Sequence, residues 1–242
     1  MMTEKNEKTF FEKYWKLLVG AAFLVAFIVL IVLLKTVDVA LDENAGKEIG
    51  LSTVNFAARD AVGVHLRFYD LTQYIGYFAI LLAAGFAVWA VVRFFTSRFD
   101  LRKTGIDFLV LGGLYLFVIL LYVFFEIAVV NYRPVLLEGT TPEASFPSSH
   151  TVLSIIVFVS AARMLHRRFA LRVSYPLFSL PFLALAVFTV VARFVSGVHW
   201  LTDMIGGVLL SVGLLFFFSF FSDLVPIETD DKKEKDEIPA AE

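Results

Sequence analysis

"LLVGAAFLVAFIVLIVLL", residues 17–34, contains no charged and no hydrogen-bonding side chain. A helix of about 18 such residues approaches the roughly 30 Å thickness of a bilayer's hydrocarbon. The run follows "MMTEKNEKTFFEKYWK", is longer than the apolar core of a signal peptide, and has no small-residue cleavage site after it. It reads as a retained transmembrane helix or uncleaved anchor.

Five further apolar runs lie C-terminal to it, at 72–95, 106–130, 152–165, 175–195 and 204–224. The fourth is short as counted and is expected to borrow residues from its polar flanks. The whole chain of 242 residues is 59% hydrophobic with 27 Phe, and its mean hydropathy is +0.78. Soluble domains are about 45–50% apolar. The expected fold class is therefore all-α, an integral membrane bundle of six transmembrane helices. Its parts are a cytoplasmic N-terminal segment (1–16), a membrane domain (17–224) and a charged cytoplasmic tail (225–242). A net charge of −2 gives no electrostatic case for nucleic acid as a partner. The chain has no cysteine, which excludes disulfides, thiolate catalysis and cysteine-based metal sites.

Basic residues orient the bundle. Lys5, Lys8, Lys13 and Lys16 precede the first span, and Arg98, Arg102 and Lys103 join the second to the third. Arg163, Arg167, Arg168 and Arg172 join the fourth to the fifth, and Lys232, Lys233 and Lys235 follow the sixth. In a six-span plan these regions share one side, so both termini are expected in the cytoplasm of a cell-membrane protein. The opposite side carries a long first loop in which Leu51, Val54, Ala58, Val62 and His65 recur at helical spacing. That pattern predicts a short interfacial helix, with His65 either solvated or lining an entrance.

Charges near membrane spans are costly, roughly 3 kcal/mol or more each in hydrocarbon. Three clusters concentrate them at the outer ends of spans three to six: "EIAVVNYRP" (126–134), "FPSSHT" (146–151) and "ARFVSGVHWLTD" (192–203). In the second, Ser148 or Ser149 is an expected N-cap after Pro147. A helix start with small residues presents unpaired N–H groups and a positive dipole end, which suits phosphate, and His150 lies in that first turn. In the third, His199 and Asp203 are four apart and share a face if the sixth helix has begun near 199. A carboxylate on one imidazole nitrogen leaves the other nucleophilic. Arg133 and Arg193 offer planar, permanent forks for phosphoryl oxygens. Each cluster also has a plainer reading as a helix cap, a snorkelling arginine or an interfacial pair. Together they hold two arginines, a helix N-terminus, two histidines and an orienting aspartate, without a metal-ligand array.

These segments resemble the signature of the type 2 phosphatidic acid phosphatase superfamily, the lipid phosphate phosphatases. That signature runs Lys-x6-Arg-Pro, Pro-Ser-Gly-His, Ser-Arg-x5-His-x3-Asp. The matches are Arg133-Pro134, then Pro147-Ser148-Ser149-His150, then Arg193, His199 and Asp203, over roughly residues 70–224. The resemblance implies His199 as nucleophile, Asp203 as its orienting partner and His150 as the acid for the leaving alkoxide. It implies Arg133, Arg193, Ser148 and Ser149 as phosphate holders, and neither metal nor other cofactor. The implied activity is hydrolysis of a lipid phosphate or diphosphate in the bilayer at the outer face, through a phosphohistidine. A phosphotransferase of the same superfamily and a non-catalytic lipid-binding or scaffold protein are the alternatives. Three positions depart from the signature: Ser149 for Gly, Ala192 for Ser and Glu126 for Lys. Glu126 replaces +1 by −1. On a continuous helix it would share a face with Arg133, about 10 Å away along the axis. It is expected to pair with a site arginine, to contact a substrate hydroxyl, or simply to stabilise the helix end.

Overall fold

A computed structural model describes residues 10–43, 45–100, 105–137, 141–169 and 174–225. The expected cytoplasmic segment before residue 10, the charged tail from 226, and Arg102, Lys103 and Arg172 of the basic connections lie outside the described residues.

The chain is a helical membrane bundle in which six helices are long and apolar enough to cross a bilayer. In order, the helices and strands are α1 (Phe10–Thr36), β1 (Ala40–Asp42), β2 (Lys47–Ile49), α2 (Ser52–Val62) and α3 (Leu66–Thr96). There follow α4 (Ile106–Ile127), α5 (Ser149–Phe169), α6 (Ser174–Val195) and α7 (Leu201–Asp223). α5 does draw on its flanks, starting three residues before its apolar run and ending four after it, at Ser149 and Phe169. α1 likewise begins at Phe10, inside the segment expected to precede it.

α5 sits at the centre of the bundle, packed on α3, α6 and α7, while α1 lies along α7. Phe158 of α5 is fully buried between Phe182 of α6 (centroids 5.7 Å) and Phe78 of α3 (5.9 Å). Gly207 lets α7 close on the first turn of α5. A Cβ there would stand 2.7 Å from Thr151 Cγ2 and 3.4 Å from the Ser148 carbonyl. That approach brings the start of α7 beside the start of α5.

The interfacial helix expected in the first loop is α2, and Asp38 caps it from outside. Its carboxylate accepts from Ser52 Oγ (2.9 Å) and Thr53 N–H (2.8 Å), bonds that hold it below the usual carboxylate range. A short antiparallel hairpin, with Ala40 opposite Ile49 and Asp42 opposite Lys47, precedes it and was not expected. α2 is stitched to α7 through Asn55, which is fully buried. Asn55 Nδ2 donates to Thr202 Oγ1 (3.0 Å), and its Oδ1 accepts the Thr202 N–H (3.2 Å).

One local expectation, a helix continuous from Glu126 to Arg133, is corrected. α4 stops at Ile127, well before Pro134, because the chain leaves the helix to pair with the segment ahead of α5. Arg133 N–H donates to the Glu143 carbonyl (3.0 Å), Ser145 N–H to the Asn131 carbonyl (2.9 Å), and Tyr132 bridges Ala144. Lys35 at the end of α1 then donates to the stranded carbonyls of Val129 and Val130. At the other end of α4, the Asp107 carboxylate in the first turn takes Arg168 of α5, and Gly105 is the cap residue.

Candidate active site

The "FPSSH" stretch is anchored before it turns helical. Phe146 is buried, stacked on Phe27 of α1 (5.6 Å) and edge-on to Phe125 of α4 (6.2 Å). Ser148 holds the cap position: its carbonyl accepts the Val152 N–H (3.0 Å), and its own N–H donates to the Asp203 carbonyl (3.2 Å). Its hydroxyl is buried and has no hydrogen-bond partner among the described residues, so it does not act as a side-chain cap. Two residues on, His150 packs against α3, where Gly76 leaves the room: a Cβ there would be 3.1 Å from His150 Nε2.

His199 precedes α7 rather than lying in it, since that helix starts at Leu201. The expectation of a shared helical face is therefore replaced by a cap geometry. Asp203 in the first turn accepts the Trp200 N–H (2.9 Å), folding the connection back so that Asp203 Oδ2 stands 3.4 Å from His199 Nδ1. Trp200 is itself held, donating from Nε1 to the Tyr132 carbonyl (2.7 Å). With Nδ1 facing the carboxylate, His199 is left with Nε2 for a substrate, and it lines the cavity described below. Burial first, then the positive charges of Arg133 and Arg193, hold its pKa well below the ordinary value. The imidazole is thereby kept neutral, the form a nucleophile requires.

The two histidines and the two arginines fall within electrostatic reach of one another. Arg193 is almost completely buried. Its guanidinium lies 4.6 Å over the Tyr69 ring and donates from Nη2 to Gln73 Oε1 (3.2 Å), while Nε and Nη1 keep no partner among the described residues. Arg133 pairs through Nε with Glu143 Oε2 (3.2 Å), and its Nη1 likewise keeps none. Unpaired buried N–H groups are expensive, and two guanidinium groups near each other that both keep such donors suit an anion.

A cavity of about 680 Å³ opens from this point. Arg133, Ser149, His150 and His199 line its polar end, with Glu126 on the same wall. Arg193, Ser148 and Asp203 are not among the lining residues. From there the cavity continues between α3 and α4 along apolar and small side chains, including Ile80, Ala84, Val118 and Ile119. His65 is not among its lining residues: it is exposed and contacts the Val62 carbonyl through Nε2 (3.0 Å). Among the described residues no group of three or more His, Cys, Asp or Glu side chains gathers as metal ligands.

Glu126 is exposed on the cavity wall beside Tyr122, one turn back on α4. Arg133 lies beyond the helix end and takes Glu143 as its carboxylate partner. Tyr69, Gln73 and Glu143 were not anticipated. The Tyr69–Gln73–Gly76 spacing, one face at the start of α3, was an available signal, for Gln73 is an amide inside an apolar run. Nothing in the sequence marks Glu143, whose role follows only from the pairing of the two loop segments.

Residues 113–224 match the family model described as the PAP2 superfamily. Among curated proteins, none matches the chain. Among solved structures, the chain is similar to a transmembrane PAP2-type phosphatidylglycerolphosphate phosphatase from Bacillus subtilis. That match has 20% sequence identity and a TM-score of 0.59, and covers 86% of this chain and 97% of the other.

Proposed function

We propose, on the premise that residues 113–224 belong to the PAP2 superfamily, that this protein is an integral membrane phosphatase that hydrolyses a lipid phosphate or diphosphate. The observation that carries the reading is one continuous cavity. Its polar end holds His150, His199 and Arg133, and its remainder is an apolar slot between two membrane spans. A phosphorylated lipid has the same division into anionic head and apolar tail.

In this reaction His199 Nε2 attacks phosphorus, an N–P bond forms, and the P–O bond to the lipid breaks. His150 delivers the proton that the leaving oxygen needs. Water, deprotonated by His150, then cleaves the N–P bond and releases inorganic phosphate. Arg133 Nη1, Arg193 Nη1 and the Ser148 hydroxyl supply donors to the phosphoryl oxygens, which agrees with their lack of partners in the protein. Asp203 holds the His199 ring and faces its Nδ1. The substrate classes in view are polyprenyl diphosphates, phosphatidic acid and phosphatidylglycerol phosphate. The basic connections support a site on the outer face of a cell membrane with both termini inside.

Glu126 fits the same scheme as a selector. A carboxylate on the wall of a phosphate site repels a second anionic group and accepts a hydrogen bond from a hydroxyl. It therefore favours lipids that carry a hydroxyl next to the phosphate over bare diphosphates. Phosphate release from a panel of lipid phosphates by detergent-purified protein tests the whole reading, with His199→Ala as control. Activity that survives the substitution sinks the phosphohistidine route, and no release from any substrate by the parent protein favours a non-catalytic role.

A further inference from the structure

At the end of the bundle opposite the histidines, four cations meet two carboxylates. Lys16 of α1 and Arg163 and Arg167 of α5 all reach Asp223 at the end of α7. Arg168 donates to Asp107 in the first turn of α4. Arg167 also donates from Nη2 to the Val225 carbonyl at 2.9 Å. Counting the groups in these contacts, four positive charges less two negative ones leave an excess of two. The buried Nε groups of Arg163 and Arg167 have no hydrogen-bond partner among the described residues. Excess positive charge at the edge of hydrocarbon is unfavourable unless an anion completes it.

A groove of about 650 Å³ runs from this cluster into the bundle between α1, α4 and α7. Its walls are apolar, formed by residues such as Leu24, Val110, Phe117, Leu214 and Phe221. Gly113 of α4 widens it, and a Cβ added there would meet nothing within 4 Å. Both walls run out at the arginines. On the α7 side the groove ends at Leu224 and Val225, the latter carrying the carbonyl that Arg167 holds. On the α4 side its first lining residue is Val110, one turn beyond the Asp107 that Arg168 holds. It shares no lining residue with the catalytic cavity.

We propose that this groove and its arginines form a binding site for one anionic phospholipid of the leaflet opposite the catalytic cavity. The phosphate sits between Arg167 and Arg168, and an acyl chain lies along Gly113. Guanidinium forks match phosphate oxygens in geometry as well as charge. A zwitterionic lipid brings its own cation to a cluster already in excess, so charge complementarity selects a lipid of net negative charge. The lipid bridges α1, α4, α5 and α7, and is a structural ligand rather than a substrate.

The test is native mass spectrometry of the full chain in delipidated detergent micelles, titrated with dioleoylphosphatidylglycerol or dioleoylphosphatidylcholine. The expected result is one retained phosphatidylglycerol, bound at least about fivefold more tightly than phosphatidylcholine. Arg167→Gln brings the two lipids to parity, and Gly113→Leu, which fills the groove and leaves every charge in place, removes both. Equal retention of the two lipids by the parent overturns the proposal, as does unchanged preference in both variants. A phosphatidylglycerol lost with Arg133→Gln but kept by both far-end variants would belong to the catalytic cavity, which also overturns it. So would a lipid bound only after the chain is cut at residue 225, since the acidic tail would then be the occupant.

Discussion

α5 and α4 have nearly the same length, 21 and 22 residues, and opposite positions in the molecule. The most apolar stretch of α4 has a mean hydropathy of 2.6 and is 17% buried in the protein, whereas that of α5 reaches only 1.3 and is 56% buried. In water the more apolar helix would be the inner one. In a bilayer the lipid is itself the apolar solvent, so the outward helix must be apolar all round, and the helix enclosed by others is released from that demand. α5 uses the release: Thr151, Ser154 and Ser160 are buried along it, and His150 opens it. α4 presents Leu116 and Leu120 outward, 58% and 57% exposed. The least hydrophobic span is therefore where chemistry can reside, and the more hydrophobic of the two supplies a wall.

The largest effect expected from that division is on catalysis at the polar end of the cavity, where His199 lies with His150 of α5. His199→Ala should lower phosphate release on the order of 10³-fold or more, whereas Leu120→Ala on α4 leaves it unchanged. Comparable losses in both would break the contrast. Packing gives the next effect. Phe158→Ala in the centre should cost about 3 kcal/mol in unfolding from detergent micelles, and Leu120→Ala less than about 0.5 kcal/mol. Glu126→Lys sharpens the contrast by testing the one charge that α4 gives to the cavity wall. Because it adds a cation near the phosphate, KM for a lipid diphosphate should fall by up to about tenfold with kcat little changed. The smallest effect concerns pH. His199 has a folded-state value below the ordinary imidazole value, so it stays neutral through pH 6.5 and loses nucleophilicity only as pH falls further. The acid limb of kcat/KM should lie below about pH 6.5. Removing one positive neighbour through Arg133→Gln should raise that limb by less than about one pH unit.

The same contrast explains what could be read beforehand. Lipid-facing spans such as α1 and α4 announce themselves because every position must be apolar, so their runs are long and unbroken. α5 reads as a short run because polar residues open and close it, Ser149 and His150 at its start and His166, Arg167 and Arg168 in its last turn. Motif spacing singled out His150, Arg193, His199 and Asp203, but the local geometry expected of them differs in places from the structure. The four-residue step from His199 to Asp203 suits a helix, yet a capped turn before α7 brings the pair together. The seven-residue step from Glu126 to Arg133 also suits a helix, yet hydrogen bonds to residues 143–145 draw the chain out of α4 at Ile127. Those bonds, like the Tyr69 and Gln73 brace on Arg193, join positions far apart in the chain. No local pattern encodes them.

The Gln73 amide that receives Arg193 belongs to a larger debt. Every motif residue lies after Tyr132 in the chain, but Arg193 rests on Tyr69 and Gln73, His150 on the space left by Gly76, and the start of α7 on Asn55. The C-terminal half holds the reagents, and the N-terminal half is their jig. Grafted onto another set of leading helices, the motifs alone would not rebuild this site. Within the first 112 residues, these points of support are among the places where a substitution should reach the site.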